Sequence, residues 1–81
     1  MKHDVERAAQ PEPFVLRGEF IELCSLLKAA GLCASGGEAK NVIGQQLVSV
    51  DGQVETRKTC KIRAGQIVTY GRHEIAVQSG T

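Results

Sequence analysis

The sequence predicts an α+β domain in which two short helices, arranged as an αα corner, pack on a small and mainly antiparallel β-sheet. Apolar residues recur at helical spacing in two segments before residue 46, and they alternate with polar residues in the segments that follow. Asp51-Gly52, the dipeptide typical of a type I′ hairpin turn, joins two of the alternating segments. The chain has 81 residues, enough for one small domain whose core leaves no room for a large enclosed cofactor cavity.

The polar residues 1–13 are predicted to form a flexible leader, because they end in Pro11-Glu12-Pro13, which favours extended chain. The first ten residues lack the apolar centre of a signal peptide, and no apolar run is long enough to span a bilayer. We therefore expect a cytoplasmic protein with no membrane partner. A short strand is predicted at residues 14–17.

The first helix is predicted over residues 19–30 and is expected to end at Gly31. Glu19 and Glu22 lie in its first turn and Lys28 in its last, where each charge complements the helix dipole. Residues at the i, i+3, i+4, i+7 spacing form its predicted buried stripe: Phe20, Leu23, Cys24, Leu27 and Ala30.

The second helix is predicted to begin after Ser35, which forms a capping box with Glu38. In this motif the serine accepts a hydrogen bond from the N–H of residue 38, and the glutamate accepts one from the N–H of residue 35. Gly44 weakens the helix, so we expect it to end near residues 45 and 46. Its expected core residues are Ala39, Val42 and Ile43, and its expected outward-facing residues are Lys40 and Asn41.

The remaining elements follow from the change to a period of two after residue 46. Strands are predicted at residues 47–50, 53–55, 66–70 and 73–77. Turns are predicted at residues 51–52, 62–65 and 71–72, and residues 56–61 are predicted to be a polar, basic connection. Residues 78–81 are expected to form a short polar tail.

No catalytic residue, cofactor or metal site is predicted. The three cysteines, Cys24, Cys33 and Cys60, have no paired zinc-ligand spacing and are expected to be structural thiols. Gly36-Gly37 before the second helix could bind an anion, but Glu38 in the same turn favours a purely structural role. No nucleophile elbow or phosphate-binding loop occurs.

The positive charge is concentrated in the second part of the chain. Residues 1–27 carry a net charge of −2 and residues 28–81 one of +3, within an overall charge of +1. If the hairpin folds back against the helix pair, six cations could form one patch that faces phosphate: Lys28, Lys40, Arg57, Lys58, Lys61 and Arg63. Chance clustering on a solvated surface is the alternative. Both phenylalanines are expected to be buried, which favours recognition of RNA backbone and shape over base stacking.

Four runs of residues, in order, resemble the RNA-binding domain of ribosomal small-subunit protein four, which is known as the αL RNA-binding motif. These runs are LLKAAGL at 26–32, SGGEAKNVI at 35–43, LVSVDG at 47–52 and KIRAGQIV at 61–68. The resemblance covers residues 14–77 and is strongest to the small stand-alone bacterial members of that family. Each run is common by itself, and the ordered combination is specific.

The resemblance implies a non-catalytic domain, at residues 14–77, that binds structured ribosomal or transfer RNA as a monomer, with the ribosome or a protein as a further partner. It implies RNA contacts from the helix pair and the segment after the hairpin, at Lys28, Lys40, Asn41, Arg57, Lys58, Lys61 and Arg63. This chain departs from the family at Gly36, where arginine is frequent, at Gln46, where glycine is usual, and at Gln66, where aspartate is common. The missing arginine leaves open a protein–protein interaction module of the same fold with weak RNA affinity.

Overall fold

The hydrophobic core is formed by two helices and by one face of a five-stranded sheet. In the computed structural model, which describes residues 11–80, the helices are α1 (Leu23–Ala29) and α2 (Gly36–Gly44). The strands are β1 (Glu12–Val15), β2 (Ile21–Glu22), β3 (Val48–Val50), β4 (Gln53–Val54), β5 (Lys61–Ile62), β6 (Ile67–Tyr70) and β7 (His73–Gln78). The predicted class, two helices on a mainly antiparallel sheet, is confirmed.

The larger sheet has the strand order β1-β7-β6-β3-β4, and a separate two-stranded sheet joins β2 to β5. All neighbours are antiparallel except β1 and β7, which run parallel. Side chains alternate along each strand, so every second residue of a strand faces the core. The buried members of this face are Val48, Val68, Ile75 and Val77.

The Asp51-Gly52 hairpin turn is confirmed between β3 and β4. Both turn residues have positive φ angles, 52° and 86°, as a type I′ turn requires. The Asp51 carboxylate also accepts a hydrogen bond of 2.9 Å from the backbone N–H of Ile67. The turn is therefore tied to strand β6 as well as to its own hairpin.

Helix α1 is shorter than predicted, and the assignment of residues 19–22 to it was wrong. Residues 21 and 22 form β2, and Glu22 stands at the N-cap position with extended backbone and no side-chain capping bond. Pairing with β5 therefore holds this segment extended. At the other end Gly31, with φ 81°, completes a Schellman motif in which the N–H of Leu32 donates to the carbonyl of Leu27.

Helix α2 follows the prediction closely. The N–H of Glu38 donates to the Ser35 hydroxyl at 3.1 Å, and Ala39, Val42 and Ile43 are buried. The other hydrogen bond of the predicted capping box was assigned to the wrong donor. The Glu38 carboxylate accepts from the N–H of Ala34 at 2.7 Å, and not from that of Ser35. The helix ends at Gly44, as expected.

The residue after the C-cap of α2, Gln46, has a backbone conformation that is unfavourable for residues other than glycine. Gln46 has a φ of 67°, and its N–H and that of Leu47 donate to the carbonyls of Ile43 and Val42 in a second Schellman motif. Glycine adopts this left-handed conformation without the steric cost that Cβ adds. The structure thus places a strained residue at the position where glycine was expected from the resemblance.

Replacing Gln46 with glycine is expected to raise the free energy of unfolding by about 0.5–1 kcal/mol, because it removes this steric cost. Urea denaturation followed by circular dichroism measures the change. The neighbouring Gln45→Gly is the matched control, since Gln45 has a φ of −85° and should lose stability on the same substitution. Equal effects of the two variants would contradict the strain at position 46.

Strand β1 begins two residues earlier than the strand predicted at residues 14–17. Glu12 and Pro13, which were assigned to the leader, pair with Ile75 and Ala76 on β7. Proline is tolerated in β1 because this strand lies at the edge of the sheet. Residues 1–10 of the predicted leader and Thr81 of the predicted tail lie outside the described residues. Gln78, the first residue of the predicted tail, belongs to β7.

Candidate nucleic-acid interface

The basic segment after the hairpin is fixed against the N-terminus of α1. The first N–H groups of a helix have no partner within it and must find one elsewhere. In α1 the N–H of Leu23 donates to the carbonyl of Cys60 at 2.9 Å, and the N–H of Cys24 donates to the carbonyl of Lys58 at 3.0 Å. The backbone of residues 58–60 therefore replaces a side-chain cap and positions the residues that follow.

The two-stranded sheet gives this segment an inner and an outer face. Ile21 pairs with Ile62, and Ile62 is fully buried. Side chains alternate along a strand, so the residues on either side of these two isoleucines point away from the core. They are Glu22 of β2 and Lys61 of β5, with Phe20 directly before β2 and Arg63 directly after β5. The predicted connection at residues 56–61 ends one residue earlier, because Lys61 and Ile62 are strand β5. The turn predicted at residues 62–65 lies at residues 63–66, where the N–H of Gln66 donates to the carbonyl of Arg63.

Two cations lie close to the ring of Phe20 on this outer face. The Nζ atom of Lys61 is 5.0 Å from the centroid of the Phe20 ring, and the Cζ atom of Arg63 is 5.6 Å from it. Both distances are within the range of cation–π attraction. Phe20 nevertheless remains 39 % exposed, so the expectation that both phenylalanines are buried was wrong; Phe14 is half-buried. The helical period had placed Phe20 on the buried stripe of α1, which begins only at Leu23.

Arg57, in contrast, is held by an acid. Its Nε and Nη2 atoms donate to the two carboxylate oxygens of Glu55 at 2.9 and 3.2 Å, and its backbone N–H donates to the same carboxylate at 2.9 Å. These hydrogen bonds lower the pKa of Glu55 to about 2. The charge of Arg57 is therefore already paired in the free protein, and Arg57 is a weaker candidate for phosphate binding than its unpaired neighbours.

Glu55→Gln is expected to make stability less sensitive to acid. Because the Glu55 pKa is about 2 when folded and near 4.5 in its ordinary state, this carboxylate contributes stability above pH 4.5 that is lost as the pH falls toward 2. The variant lacks this titration, so its free energy of unfolding should fall less between pH 5 and pH 2. Denaturant unfolding at each pH measures it. Arg57→Gln should give the same flatter profile, and unchanged profiles in both variants would contradict the ion pair.

The other predicted site residues are exposed on the surface of the described domain. Lys58 lies beside the N-terminus of α1, and Lys28 lies in the last turn of that helix. Lys40 and Asn41 are on the outer side of α2, where the Asn41 side-chain oxygen accepts a hydrogen bond from Gln45 at 3.3 Å. Within residues 11–80, the single ion pair is that between Arg57 and Glu55. The lysines and Arg63 therefore keep their charges unneutralised by any acid in this part of the chain.

The structure thus brings some of the predicted site residues close together and leaves others on separate elements. Lys61 and Arg63 both lie over the ring of Phe20, and Lys58 precedes them on the same segment. Lys28 and Lys40 lie on the two helices, which pack against each other. Phe20 is the one residue of this surface that the sequence reasoning missed, and pairing between two-residue strands gave no periodic signal for it.

Other chemistry is scarce among residues 11–80. These residues contain no group of three or more metal-ligating side chains, and no helix among them is long and apolar enough to cross a membrane. Cys24 and Cys33 are buried and Cys60 is half-buried, and all three are free thiols. Burial, with a smaller effect of nearby Glu38 and Glu55, raises the pKa values of Cys33 and Cys60, which disfavours the reactive thiolate.

Comparison with known sequences gives a consistent set of relatives. The family model described as "S4 domain" matches residues 14–78. The protein YbcJ of Escherichia coli is 53 % identical over 57 residues, which cover 70 % of this chain and 81 % of that protein. A tyrosine–tRNA ligase of Ralstonia nicotianae is 45 % identical over 53 residues, which cover 65 % of this chain and only 14 % of the ligase.

Comparison with solved structures agrees with this result. The solution structure of Escherichia coli YbcJ, which reveals an αL motif involved in RNA binding, superimposes with a TM-score of 0.67 at 46 % identity. The match covers 85 % of this chain and 89 % of that one. The fold described above is therefore the αL fold, as the resemblance predicted.

Proposed function

Because the chain belongs to the S4 domain family, we propose that it binds RNA through the exposed cations around the two-stranded sheet and the helix pair. The observation that carries this proposal is the pair of exposed cations Lys61 and Arg63, which lie over the same ring and form no ion pair with any acid of residues 11–80. The resemblance found in the sequence is confirmed by the family match and by YbcJ, a relative whose αL motif is involved in RNA binding. The family and the fold are RNA-binding rather than catalytic, so we assign no catalytic residue.

The proposed ligand is structured RNA, ribosomal or transfer RNA, bound by a cytoplasmic monomer. Lysine and arginine contacts to phosphate position a protein on folded RNA without specifying a base sequence. The proposed domain spans residues 14–77, between the leader and the polar tail. The ribosome or a protein bound to the same RNA is the further partner that this ligand class implies.

We assign phosphate contacts to five of the cations that have no ion pair among the described residues: Lys28, Lys40, Lys58, Lys61 and Arg63. Asn41, beside Lys40 on α2, is proposed to donate a hydrogen bond to the backbone through its side-chain amide, since its oxygen is already engaged. Arg57 is assigned a smaller share, because phosphate must compete with Glu55 for its guanidinium.

A protein–protein interaction module of the same fold is the second candidate. The observation that favours it is the Arg57–Glu55 pair, which removes one cation from a surface that already has Gly36 in place of a helix-borne arginine. In that case RNA affinity would be weak, and the same surface would contact a protein.

The test is a titration of labelled RNA hairpin into the wild type and into a variant with the five assigned cations changed to glutamine. Micromolar or tighter binding that the variant loses supports RNA binding through this surface. Arg72→Gln is the matched control, because Arg72 is an exposed cation in the turn between β6 and β7. Binding that is absent in the wild type, or equal in the wild type and the five-site variant, would contradict the proposal.

A further inference from the structure

The exposed ring of Phe20 has no role in binding phosphate alone. Resting on the proposed function, we propose that Phe20, Lys61 and Arg63 form a subsite for one unpaired nucleotide of the RNA. The base stacks on the Phe20 ring, and Lys61 and Arg63 bind the phosphates beside it. This gives the domain a preference for RNA that contains a bulged or looped-out base.

The first argument is the way in which the backbone presents Phe20. Pairing of the half-buried Ile21 with the fully buried Ile62 fixes the register of the two-stranded sheet and therefore turns Phe20 outward. A phenylalanine that keeps 39 % of its surface exposed forgoes part of the stabilisation that burial of its ring would give. The fold thus keeps part of this aromatic ring exposed to solvent, directly before strand β2.

The second argument is the charge around the ring. Proteins that bind unpaired nucleotides combine aromatic rings, on which bases stack, with cations that follow the phosphate backbone. Here the Nζ of Lys61 and the Cζ of Arg63 lie 5.0 and 5.6 Å from the ring centroid. One side of the domain therefore offers the apolar face and the positive charge that a single nucleotide requires.

The third argument is the space next to the ring. A surface groove of about 450 Å³ is lined by Phe20 and Arg17, and an adjoining groove of about 720 Å³ is lined by Arg17, Glu19 and Arg63. The volumes fall in the range of small-molecule sites. Two arginines and one carboxylate give the second groove a net positive charge. The grooves share Leu16, Arg17 and Gly18, so a base on the ring has room for its sugar and phosphate.

The fourth argument is the state of bases in folded RNA. Bases in a duplex are stacked and paired, whereas bases in bulges and loops can turn out and stack on aromatic side chains. A domain that binds the RNA backbone by phosphate contacts can therefore add affinity where one base is unpaired. The proposed subsite deepens the proposed function and leaves its phosphate contacts unchanged.

The test compares two RNA hairpins that differ only in one bulged nucleotide. Phe20→Leu keeps an apolar side chain but removes the aromatic face, and it should weaken binding of the bulged hairpin about tenfold. Binding of the fully paired hairpin should change less than twofold. Tyr70→Leu is the matched control, because Tyr70 is a half-buried aromatic residue of β6 that lines neither groove. Thermal unfolding of each variant reports whether the fold is retained.

Phe20→Trp provides an independent readout, because the chain contains no tryptophan. This variant should keep the preference for the bulged hairpin, and its fluorescence should be quenched by that hairpin more strongly than by the paired one. Equal weakening of both hairpins by Phe20→Leu, or equal quenching by both, would overturn the stacking subsite and leave phosphate binding standing. Absence of binding to either hairpin in the wild type would instead overturn the proposed function itself.

Discussion

Raising the monovalent salt concentration from 50 to 200 mM is expected to weaken binding of a structured RNA on the order of a few hundredfold. Each phosphate that a cation neutralises releases condensed counterions, and this release becomes less favourable as salt increases. The five cations to which we assign phosphate contacts, Lys28, Lys40, Lys58, Lys61 and Arg63, set the expected slope. A plot of log affinity against log salt should have a slope of about −4, from the coefficients for nucleic-acid strands and duplexes.

Variants separate the contributions to this slope. Removal of all five charges should bring the slope near zero, and Lys61→Gln alone should reduce it by about one. Arg57→Gln should reduce it by less than one, because in the free protein Glu55 already neutralises this guanidinium. Arg72→Gln should leave it unchanged. A wild-type slope near zero would exclude phosphate binding as the source of affinity, whatever the affinity at low salt.

The parts of this surface that depend on local sequence could be predicted. Ser35 begins α2 because its hydroxyl accepts a hydrogen bond from the N–H of Glu38, three residues away. Asp51 and Gly52 form a hairpin turn because they tolerate positive φ. Lys40 follows as an outward residue of α2, since the buried stripe fixes the orientation of the helix. In each case the interaction that decides the structure joins residues that are close in the chain.

The parts that depend on distant pairing could not be predicted. Strands β2 and β5 have two residues each and are separated by 38 positions between Glu22 and Lys61. Two residues give no periodic signal, so the helical spacing of Phe20 with Leu23 and Leu27 favoured an extra turn of α1. The backbone bonds from Leu23 and Cys24 to the segment after the hairpin then override this local preference. The exposed aromatic ring, and with it the proposed nucleotide subsite, is a consequence of that non-local pairing.

Because of the same pairing, burial of Ile62 both stabilises the fold and positions the residues of the proposed site. Ile62 is fully buried in the core, and its neighbours Lys61 and Arg63 are the two cations over Phe20. No other described strand places a core side chain between two cations that contact one ring. Packing of this single side chain therefore holds the outer face of the two-stranded sheet in position.

Ile62→Ala is expected to lower the free energy of unfolding by about 2–5 kcal/mol, because it removes buried methyl and methylene groups and leaves a cavity. This is a large fraction of the total for a domain of 81 residues, which is about 4–12 kcal/mol at the usual stability per residue. Urea denaturation at 10 °C measures the loss. At that temperature the folded protein should also bind bulged RNA more weakly, since strand β5, which contains Lys61 and precedes Arg63, is no longer anchored.

Two substitutions make this prediction specific to burial at position 62. Ile62→Val removes one methylene and should cost about 0.5–1.5 kcal/mol, with RNA binding retained. Ile67→Ala makes the same chemical change in β6 at a side chain that is 38 % exposed, and it should cost less than Ile62→Ala because fewer buried contacts are lost. If Ile62→Ala were as stable as Ile67→Ala, the two-stranded sheet would not be anchored through the core. The support proposed for Phe20, Lys61 and Arg63 would then have to come from the backbone bonds at the start of α1 alone.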